Sequence, residues 1–346
     1  MPEPTLVSCQ ALLGEVSAIF ARYLPLDDAQ HVAACLVDAD ARGVASHGIG
    51  RIPVYTRRLR EGLVNPHPQL RIEQGELATA HLHGDNGMGY VVARRAMAEA
   101  IERARRFGIG MVVASHSNHF GMAASYLQQA LDANLAALVL TNAPPLMPVW
   151  GAREAFLGTS PFAYAAPGAT PILLDMATSV VAFGKIRRAA RRGEPIPADW
   201  ALDAHGQPTT DANAALDGVV LPMAGPKGSG LGLMMESAAG VMSGSAFGGQ
   251  VRNQNSDFSQ PQNVGHSFIV FRPDCAMPFE AYRQRADALV ARAKALPRAE
   301  GFDAIYMPGE REALAAAHAH ATGVHISAQD LAMLQEEARL ATAFAA

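Results

Sequence analysis

Thr79-Ala80-His81-Leu82, the long segment Tyr90–Phe107 and Ile109-Gly110-Met111-Val112-Val113-Ala114 decide the fold class. The first and third are short β-like runs, and the segment between them carries apolar residues at helical spacing. The alternation continues with a helical Met122–Ala133, a strand-like Ala136–Thr141, and further strands at Ile172–Asp175 and His266–Phe271. Such a pattern predicts an α/β domain in which helices cover a sheet. Further toward the N-terminus, Leu6–Tyr23 reads as a helix closed by Pro25. Asp27 and Asp28 cap a second helical stretch, Ala29–Ala41. Toward the C-terminus, Phe279–Leu296, Glu310–Thr322 and Ser327–Phe344 are helical, the last opening on a capping-box-like Ser327-Ala328-Gln329-Asp330. The expected layout is a helical N-terminal part over 1–72, an α/β domain over 73–272, and a helical part over 273–346 that packs with the first. Within the middle part, Ala143–Pro171 is rich in Pro and Gly and reads as loops. Trp200–Asp217 is polar and turn-like, and Gly228–Ser243 is a closely packed helix of small residues.

Composition excludes several classes. Of 346 residues, 49% are hydrophobic and 17% charged, enough for a sizeable core and the reverse of a disordered chain. A net charge of -4 gives no basic footprint for nucleic acid. Cys9, Cys35 and Cys275 are scattered, as reduced thiols in the cytoplasm would be. Met1-Pro2-Glu3-Pro4 lacks a basic region followed by an apolar core, so no signal peptide is expected. Apolar runs such as Ile109–Ala114 and Leu135–Leu140 fall far short of the roughly 20 residues that span a membrane.

The chemistry concentrates in Ala45-Ser46-His47-Gly48-Ile49-Gly50-Arg51, which places a hydroxyl, an imidazole and a guanidinium among small residues. Histidine exchanges protons near neutrality, and arginine offers a planar fork for a carboxylate. Pro53 is tolerated only in the first turn of a helix. A helix is therefore expected to start near Gly50, with Ser46 and His47 at an anion-favouring N-terminus. No GxGxxG follows a strand and no GxxxxGK(S/T) occurs; Gly228-Ser229-Gly230-Leu231-Gly232 breaks the spacing, so neither an ordinary Rossmann fingerprint nor a P-loop is supported. Among twelve histidines, His81 and His83 would share one face of a strand, while His318 and His320 point apart on a helix. No Asp, Glu or Cys completes a tetrad beside them, so no metal is expected. The competing class is a metal-dependent hydrolase using His81, His83, His116 and His119. His116-Ser117-Asn118-His119-Phe120-Gly121, between strand and helix, suits either a ligand loop or a polar cap. Asp175 could bind a ribose hydroxyl or cap a turn. Lys227 could meet a phosphate or carboxylate, or lie at the surface. Arg187–Arg192 reads as a solvated helix end.

Taken together, Ser46-His47-Gly48, Ser117-Asn118-His119-Phe120-Gly121, Gly158-Thr159-Ser160-Pro161, Asp175-Met176-Ala177, Gly225-Pro226-Lys227-Gly228-Ser229-Gly230 and Met307-Pro308-Gly309-Glu310 occur in a familiar order. The chain resembles the type 2 malate/L-lactate dehydrogenase family of NAD(P)-dependent oxidoreductases from about Leu6 to Phe344. The resemblance implies a non-Rossmann mixed-sheet NAD(P)-binding domain over 73–272, inserted between the helical parts, and a homodimer with the site near its interface. It implies hydride transfer between NAD or NADP and a small 2-hydroxy or 2-oxo acid of the malate, lactate or sulfolactate type. The alternative is reduction of a cyclic 2-imino acid such as piperideine- or pyrroline-2-carboxylate. By the same resemblance His47 is the proton donor or acceptor with Ser46 as relay, though some relatives give that role to the histidine matching His119. Arg51 holds the substrate carboxylate and Thr159 lies on the substrate side. The cofactor contacts are His119, Phe120, Gly121, Met122 and Ala123, then Asp175, Met176 and Ala177, then Lys227 and Gly228. The last segment is Met307, Pro308, Gly309, Glu310 and Arg311, where Met307 departs from the family's usual residue.

Overall fold

The computed structural model describes residues 5–73 and 77–344. The expectation for Met1–Pro4 lies outside these residues. A seven-stranded sheet runs in the order Arg71–Glu73, Thr79–His83, Ile109–Ser117, Val264–Phe271, Ala136–Thr141, Phe162–Ala166, Ile172–Met176. Only Thr79–His83 and Ile109–Ser117 pair in parallel, with the helix Gly89–Phe107 crossing between them; every other neighbour is antiparallel. This mixed order differs from a doubly wound parallel sheet, which accounts for the missing glycine fingerprint. Ala96, Met97 and Ala100 of that helix, Tyr126 and Leu127 of the helix Ala124–Asp132, and Val112, Val139 and Phe268 of the sheet form one buried core.

A second core joins the two ends of the chain. Helices Cys9–Phe20, Leu26–Ala41 and Ile52–Arg60 pack with Ala316, Ala319, Leu334 and Ala341, which come from the helices Glu310–Thr322 and Ala328–Phe344. Thr5–Val7 pairs antiparallel with Val324–Ile326, and the Thr56 hydroxyl donates to Glu337 at 2.6 Å. A small cluster of Ala39, Met122 and Ala124, with Val44 and Leu173 against it, spans the seam between the two cores.

Several local expectations change. The helix after the Ser-His motif starts at Ile52 rather than near Gly50. Ala45–His47 and Ile49–Arg51 are separate 3-10 turns divided by an extended Gly48. Ser46 and His47 therefore sit in a turn of their own, and the nearby Ile49 N–H is already taken by Asp40 at 2.7 Å. Leu6–Tyr23 splits into the strand Thr5–Val7 and the helix Cys9–Phe20, begun by Ser8 accepting the Ala11 N–H. The presumed loop Ala143–Pro171 contains the sheet strand Phe162–Ala166, and Gly228–Ser243 becomes an α-helix, Pro226–Met235, continued by a π-helical Glu236–Val241.

Candidate active site

At the seam lies a cavity of about 720 Å³, within the usual range for small-molecule and cofactor sites. Its wall takes in His47 from the 3-10 turn and His119, Phe120, Gly121, Met122 and Ala123 from the loop after Ile109–Ser117. It continues through Thr159 and Pro161, then Asp175, Met176 and Ala177, and closes on Tyr306, Met307, Pro308, Gly309 and Arg311. Backbone geometry brings these distant segments together. The Leu173 N–H donates to the Pro308 carbonyl at 3.0 Å, fixing the late loop against the edge strand. Gly309 there has φ +81°, and a Cβ would meet the Leu173 oxygen at 2.6 Å, so only glycine permits the approach.

Five expected residues stand apart from the cavity wall. Ser46 lies behind His47, its hydroxyl 2.9 Å from Nδ1. Arg51 sits beside the two histidines, reaching Asn255 Oδ1 at 3.3 Å, with its guanidinium 5.9 Å from the Tyr55 ring centre. Lys227 is exposed on the first turn of Pro226–Met235, and Gly228 is buried where a Cβ would lie 2.3 Å from the Met223 oxygen. Glu310 pairs with Lys294 and accepts the Met307 N–H at 2.9 Å, so it shapes the loop from inside. Asp175 lines the cavity, but its Oδ2 accepts the Ala124 N–H at 2.8 Å, so it also caps the start of that helix.

The His47 and His119 rings stack at 5.6 Å with 16° between their planes. Both are surrounded by protein yet keep an edge on the cavity, and both are held neutral. Burial, then the Arg51 charge, pushes His47 down to about 4. Burial, then Arg51, His47 and His266, holds His119 well below the ordinary imidazole value. No carboxylate offsets the Arg51 charge at either ring. The tautomer of His119 follows from its partners. The Gly121 N–H can only donate, and it reaches His119 Nδ1 at 3.3 Å. Nδ1 is therefore an acceptor, the Tyr55 hydroxyl at 2.7 Å donates to it, and Nε2 carries the proton. Tyr55 carries no signal in the sequence that marks it as a site residue; it reaches His119 from the helix Ile52–Arg60. Gln262, whose Oε1 accepts the His119 N–H at 3.0 Å, gave no sequence signal.

The other histidines group differently. His83 stacks on His116 at 4.6 Å, and His81 Nε2 lies 2.8 Å from Ser115 Oγ, while His119 joins His47 in the cavity. Among the described residues no three His, Cys, Asp or Glu are arranged to hold a metal ion.

The chain matches the malate/L-lactate dehydrogenase family over residues 7–335. It is 39% identical over 290 residues to the L-sulfolactate dehydrogenase of Methanocaldococcus jannaschii, covering 84% of this chain and 83% of that protein. A solved sulfolactate dehydrogenase structure from the same organism superposes with a TM-score of 0.92 at 35% identity, covering 98% of each chain. The NAD(+)-dependent ureidoglycolate dehydrogenase of Escherichia coli O157:H7 is 37% identical over 305 residues, covering 88% of this chain and 87% of its own length. The (2R)-3-sulfolactate dehydrogenase (NADP(+)) of Chromohalobacter salexigens is 35% identical, covering 86% and 87%.

Proposed function

We propose that this chain, which belongs to the malate/L-lactate dehydrogenase family, moves hydride between NAD(P) and C2 of a small 2-hydroxy or 2-oxo acid. The observation that carries the reading is the stacked, neutral pair His47 and His119 beside Arg51, with no acid among them. The fit to a nicotinamide cofactor rests on the cavity, which has apolar walls at Phe120, Met122, Leu173 and Pro308 and runs from the histidines to Tyr306 and Arg311. His119 to Ala123, Asp175 to Ala177 and Met307 to Arg311 would hold that cofactor, which supplies hydride donation and acceptance when bound.

The protein's own groups supply the rest. Arg51 takes the substrate carboxylate; its buried Nε has no partner in the protein. The His119 Nε2–H donates to the C2 oxygen and polarises it. His47, with Nδ1 turned to Ser46, exchanges the C2 hydroxyl proton through Nε2. In oxidation the hydroxyl proton passes to His47 through Nε2, and a bound nicotinamide would take up the C2 hydrogen as hydride. Reduction reverses both transfers. Neutral His47 is ready to accept. A substrate carboxylate on Arg51 removes a charge that depresses His47, so binding raises its pKa toward that of a proton donor.

His47→Ala should lose at least about 100-fold in turnover while cofactor still binds, as read by quenching of protein fluorescence on titration with NADH or NADPH. Near-normal turnover in that variant would move the proton role to His119. A panel of 2-oxo acids and cyclic imines with each cofactor, followed by nicotinamide absorbance, separates oxo-acid from imine chemistry.

A homodimer is part of the same proposal. Leu233, Met234, Val241 and Met242 on the helix Pro226–Val241 and its end, with Trp150, Phe156 and Phe247, leave large apolar side chains uncovered, as an interface would. Light scattering on the purified protein tests it. A cytoplasmic location is proposed from three unpaired cysteines. Among the described residues no helix is long and apolar enough to cross a membrane.

A further inference from the structure

Tyr90 is the second residue of the helix Gly89–Phe107 and is fully buried in the core that joins the two ends of the chain. The start of that helix presses on the loop that carries His119: a Cβ at Gly89 would lie 2.1 Å from the Asn118 carbonyl oxygen. The Tyr90 hydroxyl lies 3.3 Å from that of Tyr55, which lies 2.7 Å from His119 Nδ1. The two phenol rings meet edge to face, their centres 5.7 Å apart. Tyr90 also underlies the second donor to His119. Gly121, whose N–H reaches Nδ1 at 3.3 Å, has φ +78°, and a Cβ there would lie 2.5 Å from the Tyr90 oxygen. Each phenol has one proton, and that fixes the direction of the series. Burial, then Tyr55, holds Tyr90 well above its ordinary value, so it keeps its proton. With Tyr90 donating to Tyr55 and Tyr55 donating to Nδ1, every proton has an acceptor. In the reverse order Nδ1–H would donate to Tyr55, and Tyr55 to Tyr90. The Tyr90 proton would then have no acceptor among the described residues, at a position closed to solvent, and the Gly121 N–H would face another N–H. A buried donor left unpaired disfavours that order.

We propose that Tyr90 is a positioning residue for hydride transfer: through Tyr55 it holds His119 as the Nε2–H tautomer, the form that can donate to the C2 oxygen of the substrate. Tyr90 is not part of the cavity wall and acts only through Tyr55 and the Gly121 turn. Its role in turnover rests on the hydride-transfer reading above, whereas the tautomer of the free protein does not. Removing the Tyr90 hydroxyl removes the proton that the reverse order strands, and only the longer Gly121 contact then opposes that order. An Nδ1–H ring, which turns an Nε2 lone pair toward the substrate oxygen, becomes accessible.

Nitrogen NMR of protein labelled in its histidine rings, with the His119 signal identified by its loss in His119→Gln, reads the tautomer in the intact protein and in Tyr90→Phe. The intact protein should show Nε2–H alone, and Tyr90→Phe a mixture of the two forms. In the same variant kcat should fall about 5- to 10-fold, the scale of one neutral buried hydrogen bond, while KM for the cofactor is unchanged. Rates are read by nicotinamide absorbance with whichever of oxaloacetate and pyruvate the intact protein reduces faster. An Nδ1–H ring in the intact protein overturns the proposal without recourse to any variant. A Tyr90→Phe protein that keeps Nε2–H alone, or one with mixed tautomers and unchanged kcat, overturns it as well. An intact protein with the Nε2–H ring that reduces no 2-oxo acid with either cofactor would overturn the hydride-transfer reading and leave the tautomer assignment standing.

Discussion

A methyl group added at Gly48 would lie 1.9 Å from Asp40 Oδ1, although the glycine's own φ of -88° is open to any residue. The constraint is steric, since the carboxylate fills the space where a side chain would go. Gly48→Ala should therefore displace the turn that carries His47 and cost about 100-fold in kcat, as an ångström of misplacement does, read by steady-state rates. Burial, opposed by the Ile49 N–H and reinforced by Asp330, pushes Asp40 up to about 6. An acid raised in the folded state lends most stability below its unfolded value, and that contribution is lost as pH rises from about 4 to 6. Asp40→Asn keeps an acceptor for Ile49 and removes the buried charge. It should raise stability at pH 7 by about 2 kcal/mol in urea unfolding. Arg51→Gln takes away a charge that depresses His47. The acid limb of kcat/KM for hydroxy-acid oxidation should then move up from near 4, and an unmoved limb would mean that His47 is not the group titrating there.

Between Arg252 and Gln262 a loop without regular structure presents Asn255 to Arg51 and Gln262 to His119. One buried side chain on the helix Ile52–Arg60 holds it. Arg58, 1% exposed, donates to the Asp257 carbonyl at 2.8 Å and the Gln260 carbonyl at 3.0 Å. Arg58→Met should release that loop, raise KM for the acid more than it lowers kcat, and destabilise the fold by about 2–4 kcal/mol. Substrate saturation curves and urea unfolding check the two effects. The limits of sequence reading are visible at this level. Ala136–Thr141 was legible because a strand buried on both faces reads as a continuous apolar run. Phe162–Ala166 was not, because its alanines carry little β signal and prolines bound it on either side. Thr5–Val7 was invisible, since its partner Val324–Ile326 lies at the other end of the chain. Among site residues, Ser46, His47 and Arg51 announced themselves by adjacency. Tyr55 and Asp40 act through contacts that spacing alone does not reveal, and the His47–His119 stack joins two loops with no shared motif.

Across the molecule, buried imidazoles set the response to acid. Burial lowers His31 and His47 to about 4 and His266 to about 3, and holds His119 well below its ordinary value. A histidine lowered on folding contributes stability that is full above about pH 6.5 and is lost as pH falls toward its folded pKa. Asp40 and Asp175, both raised to about 6, act in the opposite sense over the same window. The histidines outnumber and outweigh them. The urea midpoint should fall steadily below pH 6.5, and a midpoint unchanged down to pH 4.5 would contradict the burial of four neutral rings. The topology also bears on how the chain assembles during synthesis. The middle strand of the sheet, Val264–Phe271, is translated long after its neighbours Ile109–Ser117 and Ala136–Thr141. The first three helices cannot close their core until Leu334 and Ala341 have left the ribosome. Such non-local pairing is slow to form and leaves apolar surface open meanwhile. The nascent chain therefore has few early resting points at which to fold piecemeal, and its acid–base turn is among the first segments made and the last to be held.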